Sequence, residues 1–524
     1  MTVTWTDYLT TLACCQGQWW CTNEDCAVQL WGDVNGFASG VVPVATRWPA
    51  LAGTPFEGGF ATCCYFDTNQ SAGWWFTTDG DDPQAIRVSA DGTTVLTAPI
   101  SIASAFPGLV ALSNANVYFT VGFDTMCFFN GVWWFTKPDM DLHGVVGTLS
   151  ADLSSVDSPP KRITDVFPIF FGSDWSNGPD TLYPTKDGWW STKDSAIAKT
   201  DLSGKNWVVP PAPLSERLSR IILDRPGEYV VDKSSYPIPD GTVEITVEMW
   251  GPGGDGGQSA GTPYLIGGQG GAGAYLKDVF SITESSQFAF HVGGSGDNTR
   301  NSRDVATSTL IAAGGGGGGG AGGLSYDRYS HSGVGGDGGA GKGHIRGNLR
   351  GGAAGSSGYP TFPSAAAGGG GGDGDTGGNG GQGSGNGRDG AGTGSSFGGG
   401  GGKAGASQDG GGAGGDGGVG GGGDGGTGAD GGVYGPIGGG GGGGGGNGVG
   451  GAAAGGGGGG SNSNSGAGGG GGAQGWSLVR ETTYFDGGNG STPGGNPPSG
   501  VAVGGASDKA GGSGAVRISW SGSQ

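Results

Sequence analysis

Charged side chains are scarce in this chain. Only 13% of its 524 residues are Asp, Glu, Lys or Arg, about half the share usual in a soluble domain. Their balance is −20. A surface of that sign repels phosphate, which argues against nucleic acid as a partner and against anionic membrane surfaces. Apolar runs long enough to span a bilayer as a helix are missing, and so are the heptads of a long fibre shaft. Met1–Asp7 carry neither the basic nor the apolar stretch of a secretory leader, so synthesis in the cytoplasm without that export route is expected.

Catalytic groups are equally thin. The four histidines, His143, His291, His331 and His344, are unpaired in sequence. Neither a Ser/His/Asp order nor an HExxH motif occurs. Arg47, Arg87 and Arg162 are too scattered for the arginine cluster of a sialidase. The expectation is a protein that is not an enzyme, with no catalytic residue, no cofactor and no metal. Seven cysteines all fall in the first 127 residues. Cys14, Cys15, Cys63, Cys64 and Cys127 sit in apolar strand-like runs and read as buried small hydrophobes. Cys14, Cys15, Cys21 and Cys26 are the one set open to a zinc reading, although they lack paired CxxC spacing.

What is abundant is tryptophan in pairs. Trp19-Trp20, Trp74-Trp75, Trp133-Trp134 and Trp189-Trp190 each lead into x-Thr, at intervals of 55, 59 and 56 residues. A repeat of this length, divisible into four short strands, is the mark of a β-propeller blade. In the second copy the strands read Phe60–Phe66, Trp74–Thr78, Ala85–Ser89 and Thr93–Thr97, with the hairpin signal Asp91-Gly92 before the last. Four copies predict a four-bladed β-propeller-like domain over 1–225, Thr2–Trp5 completing the last blade. A β-prism or an irregular sandwich is the alternative. Period-2 alternation sends the two rings of each pair to opposite sheet faces, so the tryptophans are expected in the core, with sugar stacking as a lesser reading. Ser89–Thr93 and Thr200–Trp207 resemble the Asp-box turn of sialidase-like blades. Leu30–Asp33 and Leu149–Asp152 keep that pattern poorly, and whether any Asp-rich turn binds calcium stays open.

Glycine is the other excess, 132 residues in all, concentrated after Trp250. The run opens on Thr242–Trp250 and closes on Gly514–Trp520, both alternating apolar strands, so it reads as the inside of a domain rather than a linker. Collagen fails for want of a strict Gly-X-Y period. Calcium nonapeptides fail because Gly418, Gly426 and Gly432 stand where an aliphatic residue is required. Gly336–Lys342 is half of a P-loop, but Gly343 replaces the Ser/Thr. Disorder is a further alternative.

Five separated segments agree, in order, with one known family. Pro239–Gly254, Gly270–Lys277, Phe288–Gly294 with Ser308–Gly317, and Gly514–Trp520 resemble the glycine-rich domain at the ends of bacteriophage tail fibres. The middle resembles the polyglycine sandwich of tail-fibre tip adhesins, although its individual glycine helices and loops do not align with theirs. The resemblance implies an all-β fold: β frame 226–313 and 514–520, and a lattice of packed polyglycine-II helices over 314–513. Glycine helices of this type leave every N–H and C=O pointing sideways, and without Cβ atoms neighbours approach closely enough to pair them.

The resemblance also implies a virion tail protein that binds a bacterial surface receptor, a glycan or an outer-membrane protein, beside other phage tail proteins. Monomer and homotrimer both stay open. The alternatives are a structural tail-attachment protein without receptor contact, a bacterial surface adhesin, and an ice-binding protein, which the basic inserts disfavour. Side chains interrupting the glycine runs supply the candidate receptor-binding residues. These are Tyr326, Arg328, Tyr329 and His331, then His344, Arg346 and Arg350, then Tyr359 and Phe362, then Tyr434, and finally Trp476, Arg480, Tyr484 and Phe485. Clustered aromatic and arginine side chains on loops of a stiff scaffold are what a binding surface is made of.

Overall fold

Four antiparallel sheets follow one another in chain order, each a meander of four strands. The first holds β1 (Thr11–Cys15), β2 (Gln18–Asn23), β3 (Cys26–Leu30) and β4 (Val42–Pro43). The second holds β5 (Thr62–Thr68), β6 (Ser71–Thr77), β7 (Gln84–Ser89) and β8 (Val95–Ser101). The third holds β9 (Thr125–Phe129), β10 (Val132–Pro138), β11 (Gly144–Ser150) and β12 (Val156–Arg162). The fourth holds β13 (Thr181–Thr185), β14 (Gly188–Lys193), β15 (Ala196–Thr200) and β16 (Trp207–Pro213). The computed structural model describes residues 5, 7–68, 71–114, 116–253, 255, 275–283, 285–294, 299–303, 309–313, 341–342, 348–349, 476–477, 496–503 and 509–520.

Local chemistry sets the strand ends. The β1–β2 and β9–β10 hairpins turn on Gln16-Gly17 and Asn130-Gly131, both residues of each pair at positive φ, the backbone of a two-residue type I′ turn. The Trp-Trp-x-Thr segment forms the second strand of every sheet. Its threonine is paired across to the threonine that opens or nearly opens the first strand: Thr11–Thr22 at 2.7 Å, Thr62–Thr77 at 2.6 Å, Thr125–Thr136 at 2.7 Å and Thr181–Thr192 at 2.8 Å. All eight residues are buried. Each hydroxyl satisfies its partner, which is why a polar residue can repeat at a core position.

The turn between third and fourth strands is also common to all four copies. The N–H of its first residue donates to the carbonyl five residues on: Trp31 to Gly36, Ser89 to Thr94, Ser150 to Ser155 and Asp201 to Asn206. The fourth turn residue has positive φ each time, at Val34, Gly92, Leu153 and Gly204. The Asp-box likeness therefore reaches further than its letters. Asp152 accepts from Ser150 Oγ, Ser154 N and Ser154 Oγ, as Asp91 does from Ser89 and Thr93.

After each fourth strand comes one helical turn, opened by a buried aliphatic residue and closed by a buried large one. The pairs are Val44 with Trp48, Ile102 with Phe106, Ile163 with Phe167 and Leu214 with Leu218. The first three are followed by Pro49, Pro107 and Pro168. Their backbone then reaches the next sheet's turn. Ala50 N donates to Gly92 O, Gly108 N to Leu153 O and Ile169 N to Gly204 O. A Cβ at Gly92 would come within 2.7 Å of the Trp48 ring and one at Gly204 within 2.7 Å of the Phe167 ring, so glycine there answers to both φ and space.

The four sheets have their full complement without Thr2–Trp5. Residues 2–4 lie outside the described residues, and buried Trp5 packs edge-on against Phe37.

The chain divides into two compact units. One comprises 1–221, 233–242 and 520–524; the other comprises 222–232 and 243–519. In the second unit Glu244–Trp250 lies between Tyr275–Ser281 and Ala515–Ser519, antiparallel to both, with Trp250 opposite Ala515. A second antiparallel sheet of that unit runs Gly227–Asp232, Gln287–Val292, Thr299–Arg303, Thr309–Ala313 and Trp476–Ser477. Ile245, Val247, Met249, Val516 and Ile518 are buried, which is the apolar alternation that made these segments legible as strands. The polyglycine lattice expected over 314–513 falls almost wholly outside the described residues.

Candidate functional site

The starts of β1, β5, β9 and β13 line one cavity of about 10 Å³, contributed by Thr11, Thr62, Thr125, Thr181 and their neighbours. That is room for a single water-sized occupant. Charge gathers on one side of it. Asp124 and Asp180 stand just before β9 and β13, and Lys137 and Lys193 stand just after the core threonines Thr136 and Thr192. The corresponding places in the first two sheets hold Thr10 and Ala61, Asn23 and Thr78.

Lys193 Nζ bonds Asp180 Oδ1 at 2.9 Å, and Lys137 Nζ donates to Gly122 O at 2.8 Å. Asp124 keeps contact with solvent, yet protein surrounds it on the other sides. That burial pushes its carboxyl up to about 6, with Lys137 and Lys193 opposing the rise and Asp180 adding to it. Burial opposes the charge on Lys193 too, but its hydrogen bond to Asp180 together with the negative charges of Asp180, Asp194 and Asp124 outweighs this and its pKa rises. The mouth is thus a mixed-charge polar rim, chemically suited to ordering water or a small ion, and the one thiol in the lining, Cys63, is held protonated by burial.

The tryptophan pairs divide their work between the two sheet faces. First members pack backwards: Trp19 on Tyr183 (5.3 Å between centroids), Trp133 on Phe66 (5.3 Å) and Trp189 on Phe129 (5.0 Å). Second members meet the helical turn that follows their own sheet in the first two copies, Trp20 on Trp48 and Trp75 on Phe106. Each such ring pair adds about 0.5–1.5 kcal/mol beyond area burial. Of the eight rings only Trp20 and Trp134 are more than marginally exposed.

Sequence reasoning left several arginines and lysines unassigned, and the structure puts them on these rings. Arg47 lies 4.4 Å from the Trp20 centroid, Arg217 4.8 Å from Trp190 and Arg87 4.8 Å from Phe66. Asp33 accepts from Trp190 Nε1 at 2.7 Å and from Lys199 Nζ at 2.9 Å, joining the fourth sheet to the first. Arg217 Nη1 donates to Val34 O at 3.2 Å, where the other three joints use a backbone N–H. The available signal was the aliphatic-x-x-x-aromatic-Pro pattern at Val44–Pro49, Ile102–Pro107 and Ile163–Pro168. Its lapse at Leu214–Ser219 marks the odd joint.

Cys14, Cys15, Cys21 and Cys26, the set open to a zinc reading, are not gathered within mutual ligand reach. All seven are free thiols, and Cys15, Cys21, Cys63, Cys64 and Cys127 are buried. Burial pushes Cys14 and Cys26 up to about 11 and Cys21 well above the usual thiol value, so all three are neutral thiols at pH 7. Among the described residues the one group of ligand-type side chains within mutual reach is Asp139, Asp141 and His143. There Asp139 Oδ1 is already taken by the N–H groups of Asp141 and His143.

The candidate receptor residues Tyr326, Arg328, Tyr329, His331, His344, Arg346, Arg350, Tyr359, Phe362, Tyr434, Arg480, Tyr484 and Phe485 lie outside the described residues, as does the side chain of Trp476, whose backbone pairs with Ala312.

No protein-family model and no curated protein matches the chain. Among solved structures it is similar to a 2S albumin seed protein from Dolichos, at 17% identity over 40% of this chain and 96% of that one, with a TM-score of 0.35. A hemopexin-fold protein from cow pea is similar at 20% identity over 40% and 95%, TM-score 0.33. A plant albumin from Cicer arietinum, described as showing hemagglutination, is similar at 14% identity over 40% and 95%, TM-score 0.34.

Proposed function

We propose that this protein is a bacteriophage tail component that binds a bacterial surface receptor during adsorption. In this reading the four sheets are the blades of a closed four-bladed propeller, a rigid body for attachment to other tail proteins. The glycine-rich unit displays the receptor-contacting loops on packed polyglycine-II helices. Ring closure is supported by the bonds from Lys199, Trp190 and Arg217 of the last repeat to Asp33 and Val34 of the first.

One observation carries the functional part. Glu244–Trp250 pairs in register with Ala515–Ser519, so residues 251–514 leave a sheet and return to the same sheet. A linker or tail would not be tied off at both ends. Such an insertion suits display of side chains, and in an otherwise acidic protein the segments 324–331 and 342–350 concentrate Tyr, Arg, His and Lys. Local positive charge steers an anionic surface sugar towards them, and aromatic and arginine anchors hold it.

The test is binding of fluorescently labelled protein to cells of the candidate host. It is compared with a variant carrying Gly or Ser at Tyr326, Arg328, Tyr329, Arg346 and Arg350, its fold checked by circular dichroism. Binding by the parent and at least tenfold weaker binding by the variant are expected. Undiminished binding by the variant would remove these loops from the interface. No binding by either would leave a structural tail role.

A further inference from the structure

The third sheet departs from its siblings at one place, and the departure opens a cavity. In every sheet the second tryptophan faces a cross-strand partner on the third strand: Trp20 faces Gln29, Trp75 faces Arg87 and Trp190 faces Lys199. Those partners are long. Trp134 faces Thr148 instead. The helical turn after the sheet brings a second difference. Arg47 and Arg217 cover Trp20 and Trp190 from its last position, where the third copy has Val166 and the second has Ala105. The third sheet alone lacks a long side chain at both positions, the second keeping Arg87, and a cavity of about 210 Å³ results, lined by Trp134, Val146, Thr148, Asp157, Ser158, Lys161 and Val166.

The rim has changed character as well. Aligned by strand register, Asp157 stands where the second and fourth sheets have Leu96 and Val208, and Lys161 where they have Ile100 and Ala212. Apolar surface strand positions have become an acid and a base on the edge of the same cavity. Thr148 Oγ1 donates to Asp157 Oδ2 at 2.8 Å, which holds the carboxylate over the opening, and Lys161 has no ion-pair partner among the described residues.

We propose that this cavity is a binding site for a single carbohydrate ring. A pyranose presents an apolar C–H face and a belt of hydroxyls that donate and accept. Trp134, Val146 and Val166 match the face; Asp157, Ser158 and Lys161 supply acceptors and donors for the belt. A purely apolar ligand would cover Asp157 and Lys161 without pairing them, at a cost. The acidic charge of the protein works against a phosphorylated one. The volume, below the ~300 Å³ of ordinary small-molecule pockets, limits the occupant to one ring. The site stands on the geometry of the third sheet alone and does not depend on the glycine-rich unit contacting a cell.

Ligand-observed saturation-transfer NMR on the full chain tests it, with the methyl pyranosides of glucose, galactose, mannose and N-acetylglucosamine as probes. Transfer to at least one of them is expected, strongest at the C–H groups of one ring face. Thr148→Arg, which copies the second sheet, should weaken it at least tenfold. Lys161→Ile and Asp157→Leu copy the same sheet at exposed positions, where the fold is not at stake, and should each weaken it several-fold. No transfer from any of the four to the parent protein overturns the proposal. So does transfer undiminished in Lys161→Ile and Asp157→Leu, whether or not Thr148→Arg folds. Cell binding lost in the 324–350 variant while pyranoside binding persists would separate this site from the receptor loops.

Discussion

Asp124 holds a carboxylate where protein disfavours its charge. Burial lifts its pKa to about 6, above the ~3.9 of an exposed aspartate. Between those values the folded state binds more protons than the unfolded one, so stability falls as pH rises through the window, and at pH 7 the ionised group opposes folding. Asp124→Asn should therefore melt higher than the parent at pH 7, with the difference vanishing near pH 4. Because the carboxylate keeps solvent contact, the gain is on the order of 1 kcal/mol rather than the full linkage value. Thermal melts at the two pH values check this, and an equal difference at both would sink it. Asp201 behaves oppositely. Hydrogen bonds from the Asn206 side chain, Ser203 and the turn backbone hold it at about 2, so its contribution is present at neutral pH and is lost as pH falls towards 2. The two aspartates differ because one is backed by protein at the cavity rim and the other by a turn full of donors.

The joints between sheets are the elements on which the first unit depends. Three are made by a covalently preceding helical turn whose N–H meets the next sheet's positive-φ carbonyl. At the joint between fourth and first sheets no N–H of the helical turn reaches the Val34 carbonyl, and beside the backbone bond from Phe37 N to Arg220 O side chains make it: Lys199 with Asp33, Trp190 with Asp33, Arg217 with Val34. Lys199 is only 2% exposed, so its charge must be met, here by Asp33 and Asp187. Asp33→Ala removes one of its two carboxylates and also the acceptor of a buried indole N–H. A loss of about 1–3 kcal/mol is expected, larger than for Asp187→Ala, which leaves Trp190 satisfied. Urea titrations of the two variants decide it. Equal losses would show that the Trp190 bond contributes nothing.

For the molecule as a whole, the strand pairing at both ends of residues 251–514 is the feature that matters. Val516 is fully buried opposite Met249, and a carboxylate there has no partner to offset its desolvation. Val516→Asp is expected to open the sheet that ties off the insertion. Limited proteolysis with a non-specific protease should then cut within 251–514, while a fragment covering residues 10–213 stays protected. Resistance equal to the parent across 251–514 would show that the pairing does not clamp that segment. The same variant should lose binding to host cells if the receptor loops reside there.

Much of this protein is written locally. The Trp-Trp-x-Thr repeat, the turn residues and the period-2 alternation were enough to find four meanders, because strand formation and hairpin turning depend on neighbours in sequence. The flanking strands of the glycine run were legible for the same reason. Other features needed the tertiary structure. That the turn at Ser150–Ser155 matches its siblings despite Leu153 in place of glycine follows from backbone geometry, which tolerates the residue because the side chain is buried and its carbonyl is engaged. That Asp33 serves Lys199 depends on residues 166 positions apart. The space above Trp134 exists because Thr148 and Val166, on different elements, are both short. Alternation is a property of a strand; an empty volume is a property of everything that fails to fill it.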